Sequence, residues 1–199
     1  MTMNIEDNFP PIAQEGLNTD KNADFDGTLN VQGAVTLQST LAVTGTTTLS
    51  GAVDASGVAL KSKRNVLASS GNTTMTTAMS GSVMLIDGAS TDYALPAIGS
   101  GDVGVYFDFY STIISTGTQT ITAQAADLLT GSITIADVGA AGTDNFSPDV
   151  TDDLVITLNG TTTGGVAVGS WCTITAISAT RWFVNGVFNG SGTLATPFS

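Results

Sequence analysis

The chain has 199 residues, 17 acidic and 5 basic, for a formal net charge of −12, with no histidine and a single cysteine, Cys172. Such acidity argues against nucleic acid and against an anionic membrane surface, both of which call for a basic patch. Without histidine the usual general base and the commonest metal ligand are missing, and one cysteine cannot close an intrachain disulfide.

Residues 1–26 form a polar, acidic segment with Glu6, Asp7, Glu15, Asp20, Asp24 and Asp26 set against Lys21. It shows neither a strand nor a helix period and lacks the charged and apolar regions of a secretory leader. Phe9, Pro10, Pro11 and Ile12 make a stiff apolar knot within it. This composition fits either a plain tail or an arm that orders when it docks on a partner. The acidic residues of such an arm favour a basic or positively polarised surface.

Residues 27–53 read GTLNVQGAVTLQSTLAVTGTTTLSGAV. Every second residue from Leu29 to Val53 is mostly apolar or small, and the residues between them are mostly polar. That is the alternation of strands with one buried face. A twelve-residue period lies over it, relating Leu29, Leu41 and Val53, Val31 and Val43, and Leu37 and Leu49. One strand of this length would run to about 80 Å, so Ser39, Gly45 and Gly51 are expected at turns. Stacked repeats need about three units to bury a shared stripe. Two and a fraction leave Leu29, Val31, Val35, Leu37, Leu41, Val43, Leu49 and Val53 to be covered by other copies of the chain or by the domain that follows.

Residues 61–64, KSKR, hold three of the five basic side chains and read as a solvated junction that offsets nearby carboxylates. Beyond them, short apolar runs bounded by Gly, Asn, Asp and Ser predict strands at 82–87, 103–110, 119–124, 132–136, 153–158, 171–177 and 181–188. Such spacing suggests a sandwich or jelly roll. Alternation places Val103, Val105, Phe107 and Phe109 on one face and Tyr106, Asp108 and Tyr110 on the other. Leu154, Ile156 and Leu158 likewise share a face, and a core of aliphatic residues with Phe107, Phe109 and Trp182 is expected. Asn159-Gly160 is a hairpin signal, and Gly117 marks a second turn. No apolar run is long enough to span a membrane as a helix.

Two sites carry possible chemistry. Asp144, Asp149, Asp152 and Asp153 gather carboxylates of the kind that hold Ca²⁺, but their spacing fits no EF-hand and a solvated loop is the better reading. Asp102 and Asp108 lie near Tyr106, as a glycosidase pair would, yet a domain of this size offers little room for a long saccharide groove. Cys172, beside Trp171 on a strand, reads as a buried, inert thiol.

The repeat resembles the Gly/Thr-rich β-repeats in the shafts of bacteriophage fibre and spike proteins. The later domain is similar to the heads of phage capsid-decoration and fibre proteins, through Gly81, Leu95-Pro96, Gly104, the turn Asp127-Leu128-Leu129-Thr130-Gly131, and Trp182 in the last hairpin. The resemblance implies a homotrimer with intertwined chains and an all-β architecture in three parts. These are an extended arm (1–26) that binds a major capsid protein lattice through Phe9–Ile12, a trimerising β-repeat (27–64), and a β-sandwich or jelly-roll-like knob (65–199). It implies a non-enzymatic capsid-decoration protein, a cement or head fibre on the virion surface, assembled in the host cytoplasm, without a cofactor, metal, nucleic acid or membrane partner. The alternative it leaves is a short tail fibre or receptor-binding tip that recognises a host glycan or protein.

Overall fold

The computed structural model describes residues 34, 42–45, 47–48, 63–124, 127–149 and 151–199. The chain divides into two units, Met1–Val58 and Ala59–Ser199. Phe9, Pro10, Pro11, Ile12, Leu29, Val31, Val35, Leu37, Leu41, Leu49 and Val53 lie outside the described residues. Val43 lies within them and is 52% exposed in the single chain.

The second unit is all-β. Its strands are β1 (Val66–Ser69), β2 (Thr73–Thr74), β3 (Val83–Ile86), β4 (Asp92–Ala94), β5 (Tyr106–Ser111), β6 (Gln119–Thr122), β7 (Leu128–Asp137), β8 (Thr143–Phe146), β9 (Val155–Leu158), β10 (Trp171–Ser178) and β11 (Arg181–Gly190). Two single 3-10 turns, Thr77–Met79 and Ser100–Asp102, are the only helical residues among those described. The strands make a seven-stranded sheet in the order β1-β3-β5-β10-β11-β7-β8 and a four-stranded sheet in the order β2-β4-β6-β9.

Both sheets are mixed. β1, β3 and β5 run parallel in the large sheet, and β2, β4 and β6 run parallel in the small one. The chain crosses from one sheet to the other between each of these six strands, so β1–β2, β3–β4 and β5–β6 are successive turns of one winding. The sequence led to a sandwich or jelly roll, whose sheets are antiparallel. The winding differs from it because strands separated by a crossing to the other sheet return in the same direction. The later half supplies the antiparallel pairs β10–β11, β5–β10, β6–β9 and β7–β8, and one further parallel pair, β7–β11.

Side-chain alternation builds one core between the sheets. Phe107, Phe109, Cys172, Ile174, Trp182, Val184, Ile133 and Ile135 enter it from the large sheet, and Tyr93, Ile121, Ile156 and Leu158 from the small one. Phe109 meets the Tyr93 ring edge-on at 5.7 Å between centroids, and Phe107 lies 6.0 Å from Trp182. The expected face of β5 is therefore present at Phe107 and Phe109, but Val103 precedes the strand and is 55% exposed. A Gly-rich turn holds it out: Gly104, with φ at +94°, donates its N–H to Ala176 O before the strand begins.

The edge of the small sheet at β9 is closed by residues 197–199. Thr157 N–H donates to Pro197 O, Val155 N–H to Ser199 O and Ser199 N–H to Val155 O, while Phe198 inserts into the core. An edge so covered offers no free ladder to another strand.

Candidate interaction surface

The cluster that sequence reading missed sits on the outward side of β5. Asp108 alternates away from the core, yet its neighbours leave it only 8% exposed. Arg64 reaches it across 44 residues of sequence, with Nη1 in an ion pair to Oδ2, and the Thr173 hydroxyl on β10 donates to Oδ1. The same guanidinium donates from Nε to Gly81 O at 2.7 Å and from Nη2 to Ser82 O at 3.2 Å. Its carbon stands 5.6 Å from the centre of the Tyr106 ring. The planar fork of arginine suits this many-sided contact as a lysine would not. So the KSKR segment is not merely solvated: Arg64 latches the start of the domain onto the turn before β3 and onto Asp108 of β5. One signal in the sequence pointed this way, a carboxylate on the polar side of an otherwise aromatic strand with three cations in one junction.

Arg64→Ala is expected to lower unfolding stability by about 1–2 kcal/mol. It leaves Asp108 largely buried without its cation, but Arg64 is 39% exposed, which weakens the pair. Urea titration of the full chain and of the variant reads this directly.

Around the latch the large sheet presents an outward face in register. One row runs Leu85, Tyr110, Trp171, Val187, Thr134. The next runs Val83, Asp108, Thr173, Asn185, Ser132, and a third runs Tyr106, Thr175, Phe183, Thr130. Tyr106, Tyr110 and Phe183 are 38%, 40% and 43% exposed, and Leu85, Trp171 and Val187 are half-buried. Leu85, Tyr110, Trp171 and Val187 are adjacent in one row, and the polar row of Asp108, Thr173, Asn185 and Ser132 separates them from Tyr106 and Phe183.

The other predicted sites have structural partners. Asp102 accepts the Gly99 N–H at 2.9 Å and closes the 3-10 turn. With Asp108 held by Arg64 and Thr173, both carboxylates serve the fold. Asp149 accepts from the Thr151 N–H at 3.0 Å and hydroxyl at 2.7 Å, and these bonds hold its carboxyl below the usual range. Asp153 accepts the Asp149 N–H, whereas Asp144 lies apart on β8. Among the described residues no three acidic or sulfur side chains gather as a metal group. Cys172 is 1% exposed, and burial first, then the charge of Asp108, pushes its pKa well up, so the reactive thiolate is suppressed. Asn159-Gly160 forms a turn but no hairpin between strands. Its side-chain oxygen accepts from Thr161 N–H and Thr163 N–H inside the β9–β10 crossing, because the next strand belongs to the other sheet.

The crossings at one end of the winding stack on each other. Asp92 N–H donates to Asn72 Oδ1, Gln119 Nε2 to Gly88 O and Ser90 Oγ to Thr118 O, while Tyr93 O–H donates to Ser69 O. The Tyr93 pKa is raised, chiefly by burial, with a further push from Asp87. These bonds give the stacked arches their polar interior. No helix among the described residues is long and apolar enough to cross a membrane. No protein-family model, curated protein or solved structure matches the chain.

Proposed function

We propose that the chain is a structural virion protein, a homotrimeric capsid-decoration protein of cement or head-fibre type on a bacteriophage head. The observation that carries this reading is the twelve-residue repeat of 27–53, whose apolar stripe is too short to bury itself. Three copies would cover Leu29, Val31, Leu37, Leu41, Val43 and Leu49 about a common axis. The arm, with Phe9, Pro10, Pro11 and Ile12, would anchor the trimer to the major capsid protein lattice, and the β domain would project as a knob, jelly-roll-like in role rather than in strand pairing.

The mechanism is passive. A protein that binds the assembled lattice and not its dissociated subunits stabilises the lattice by mass action. Three arms on one trimer strengthen attachment through effective concentration. Engagement of Asp102 and Asp108 by structural partners supports a non-catalytic role. The exposed Tyr106, Tyr110 and Phe183 favour one second reading, a tail-fibre tip that holds a host glycan on aromatic rings.

Deletion of residues 1–26 is expected to leave a folded trimer that no longer sediments with capsids. Full binding by that truncation would remove the anchor role. Counting the chain in purified heads and in free tails separates the two readings. Many copies on heads mean decoration, and a few on tails mean a fibre tip.

A further inference from the structure

We infer that the stacked crossings at one end of the winding bind a hard cation of the Ca²⁺ class through Asp87 Oδ1, Thr91 Oγ1 and Gln119 Oε1. This site is independent of the virion reading and of the way copies of the chain assemble.

Unpartnered oxygen is the first reason. Among the described residues, five buried side-chain nitrogen or oxygen atoms have no hydrogen-bond partner. Four of them, on Asp87, Thr91, Ser115 and Gln119, belong to the β3–β4 and β5–β6 crossings or to the first residue of β6. Gln119 is fully buried and Thr91 is 3% exposed. Asp87 is half-buried, with its Oδ1 shut off from solvent. A buried oxygen without a partner costs free energy, and a carboxylate oxygen costs most.

Place is the second. The three side chains gather around Gly88. Asp87 precedes it in the chain. The Gln119 amide donates from Nε2 to Gly88 O at 2.5 Å, and since a carbonyl only accepts, Oε1 is the atom of that amide left unpaired. A Cβ at Gly88 would strike the Thr91 methyl, which shares its carbon with the unpaired hydroxyl, and would lie 2.6 Å from Ser70 O. The β1–β2 crossing, the β3–β4 crossing and the start of β6 therefore meet at this glycine.

The donor set is the third. One carboxylate, one amide oxygen and one hydroxyl are all hard ligands, with neither nitrogen nor sulfur among them. A count of acidic residues passes over such a set, because two of its three members are neutral. A water molecule would satisfy the acceptors but leave the charge of Asp87 uncompensated, whereas a cation offsets it. A single carboxylate sets a weak affinity, with Kd at about 10⁻⁴–10⁻³ M, the range of extracellular calcium modules. The bound ion would tie the β3–β4 crossing to β6 and stabilise the domain by mass action.

The test follows thermal unfolding of the full chain, stripped with EDTA and dialysed, against CaCl₂ concentration, with NaCl of matched ionic strength as control. The expected result is a melting temperature raised by a few degrees at about 10 mM Ca²⁺ and unmoved by NaCl. Asp87→Asn and, separately, Thr91→Val are expected to shift the Ca²⁺ dependence to about tenfold higher concentration or beyond. Asp152→Asn, on an exposed loop, is expected to leave it unchanged. Should either site variant fail to fold, the other carries the comparison. No Ca²⁺ response in the parent overturns the site and leaves water among these oxygens. A response equalled by NaCl is screening of the acidic chain and overturns it as well. A response kept by the folded site variants, or lost in Asp152→Asn, gives the ion to surface carboxylates and overturns the assignment.

Discussion

Gly131→Ala is expected to cost the domain about 3 kcal/mol or more and to abolish its cooperative thermal transition near physiological temperature. Gly131 stands inside β7 with φ at +108°, where any L side chain is strained. A Cβ there would lie 2.1 Å from Val184 O and 3.0 Å from Val184 N. Val184 is its register partner on β11, and the two strands run ten residues in parallel as neighbours in the large sheet. Backbone blocks the Cβ, so no rotamer change relieves it. The pair must separate or shift, and it carries Ile133, Leu129 and Trp182 with it. Circular dichroism against temperature checks this. A melting curve within a few degrees of the parent would show that the β7–β11 pair can part locally without loss.

Trp182→Ala is the second large effect, at about 3–5 kcal/mol. Trp182 is fully buried on β11 and packs beside Phe107 on the far side of β10, so its removal opens a cavity between three central strands. Trp182→Phe is expected to recover more than half of that loss, since it restores most of the volume. The indole N–H has no partner in the core, so phenylalanine also removes an unsatisfied donor. Guanidinium titration of the two variants and the parent orders them. Equal losses for Ala and Phe would place the role of the ring in its shape rather than in its volume.

The strands that were legible are those whose own side chains alternate. Tyr106–Ser111, Val155–Leu158, Trp171–Ser178 and Arg181–Gly190 each carry a row of apolar residues at every second place, and burial follows that row. Thr73–Thr74, Asp92–Ala94 and Thr143–Phe146 carried no such signal. They are strands because a neighbour offers them a ladder: the first two have only two or three residues, and Thr143–Phe146 carries no alternating apolar row. Pairing direction was hidden for a related reason. Alternation is the same in parallel and antiparallel sheets, and what distinguishes them is the path between strands. The Arg64–Asp108 latch joins residues from the junction and from mid-domain, and no local pattern announces a contact of that separation. The outward face was half visible. Tyr106 and Tyr110 were placed opposite the core from sequence, but the pairing of Tyr110 with Trp171 depends on a register that only the fold supplies.

The winding of β1 to β6 has a consequence for descent. Each turn adds one strand to each sheet, and the turn made by β1 and β2 is outermost in both. A duplication or loss of roughly 20 residues at that side adds or removes one layer and leaves every inner register untouched. Close kin of this domain would then differ in breadth by whole turns while keeping the β5, β10, β11 and β7 strands. A search that aligns such chains end to end would score those gains and losses as divergence, although the heart of the domain had hardly changed.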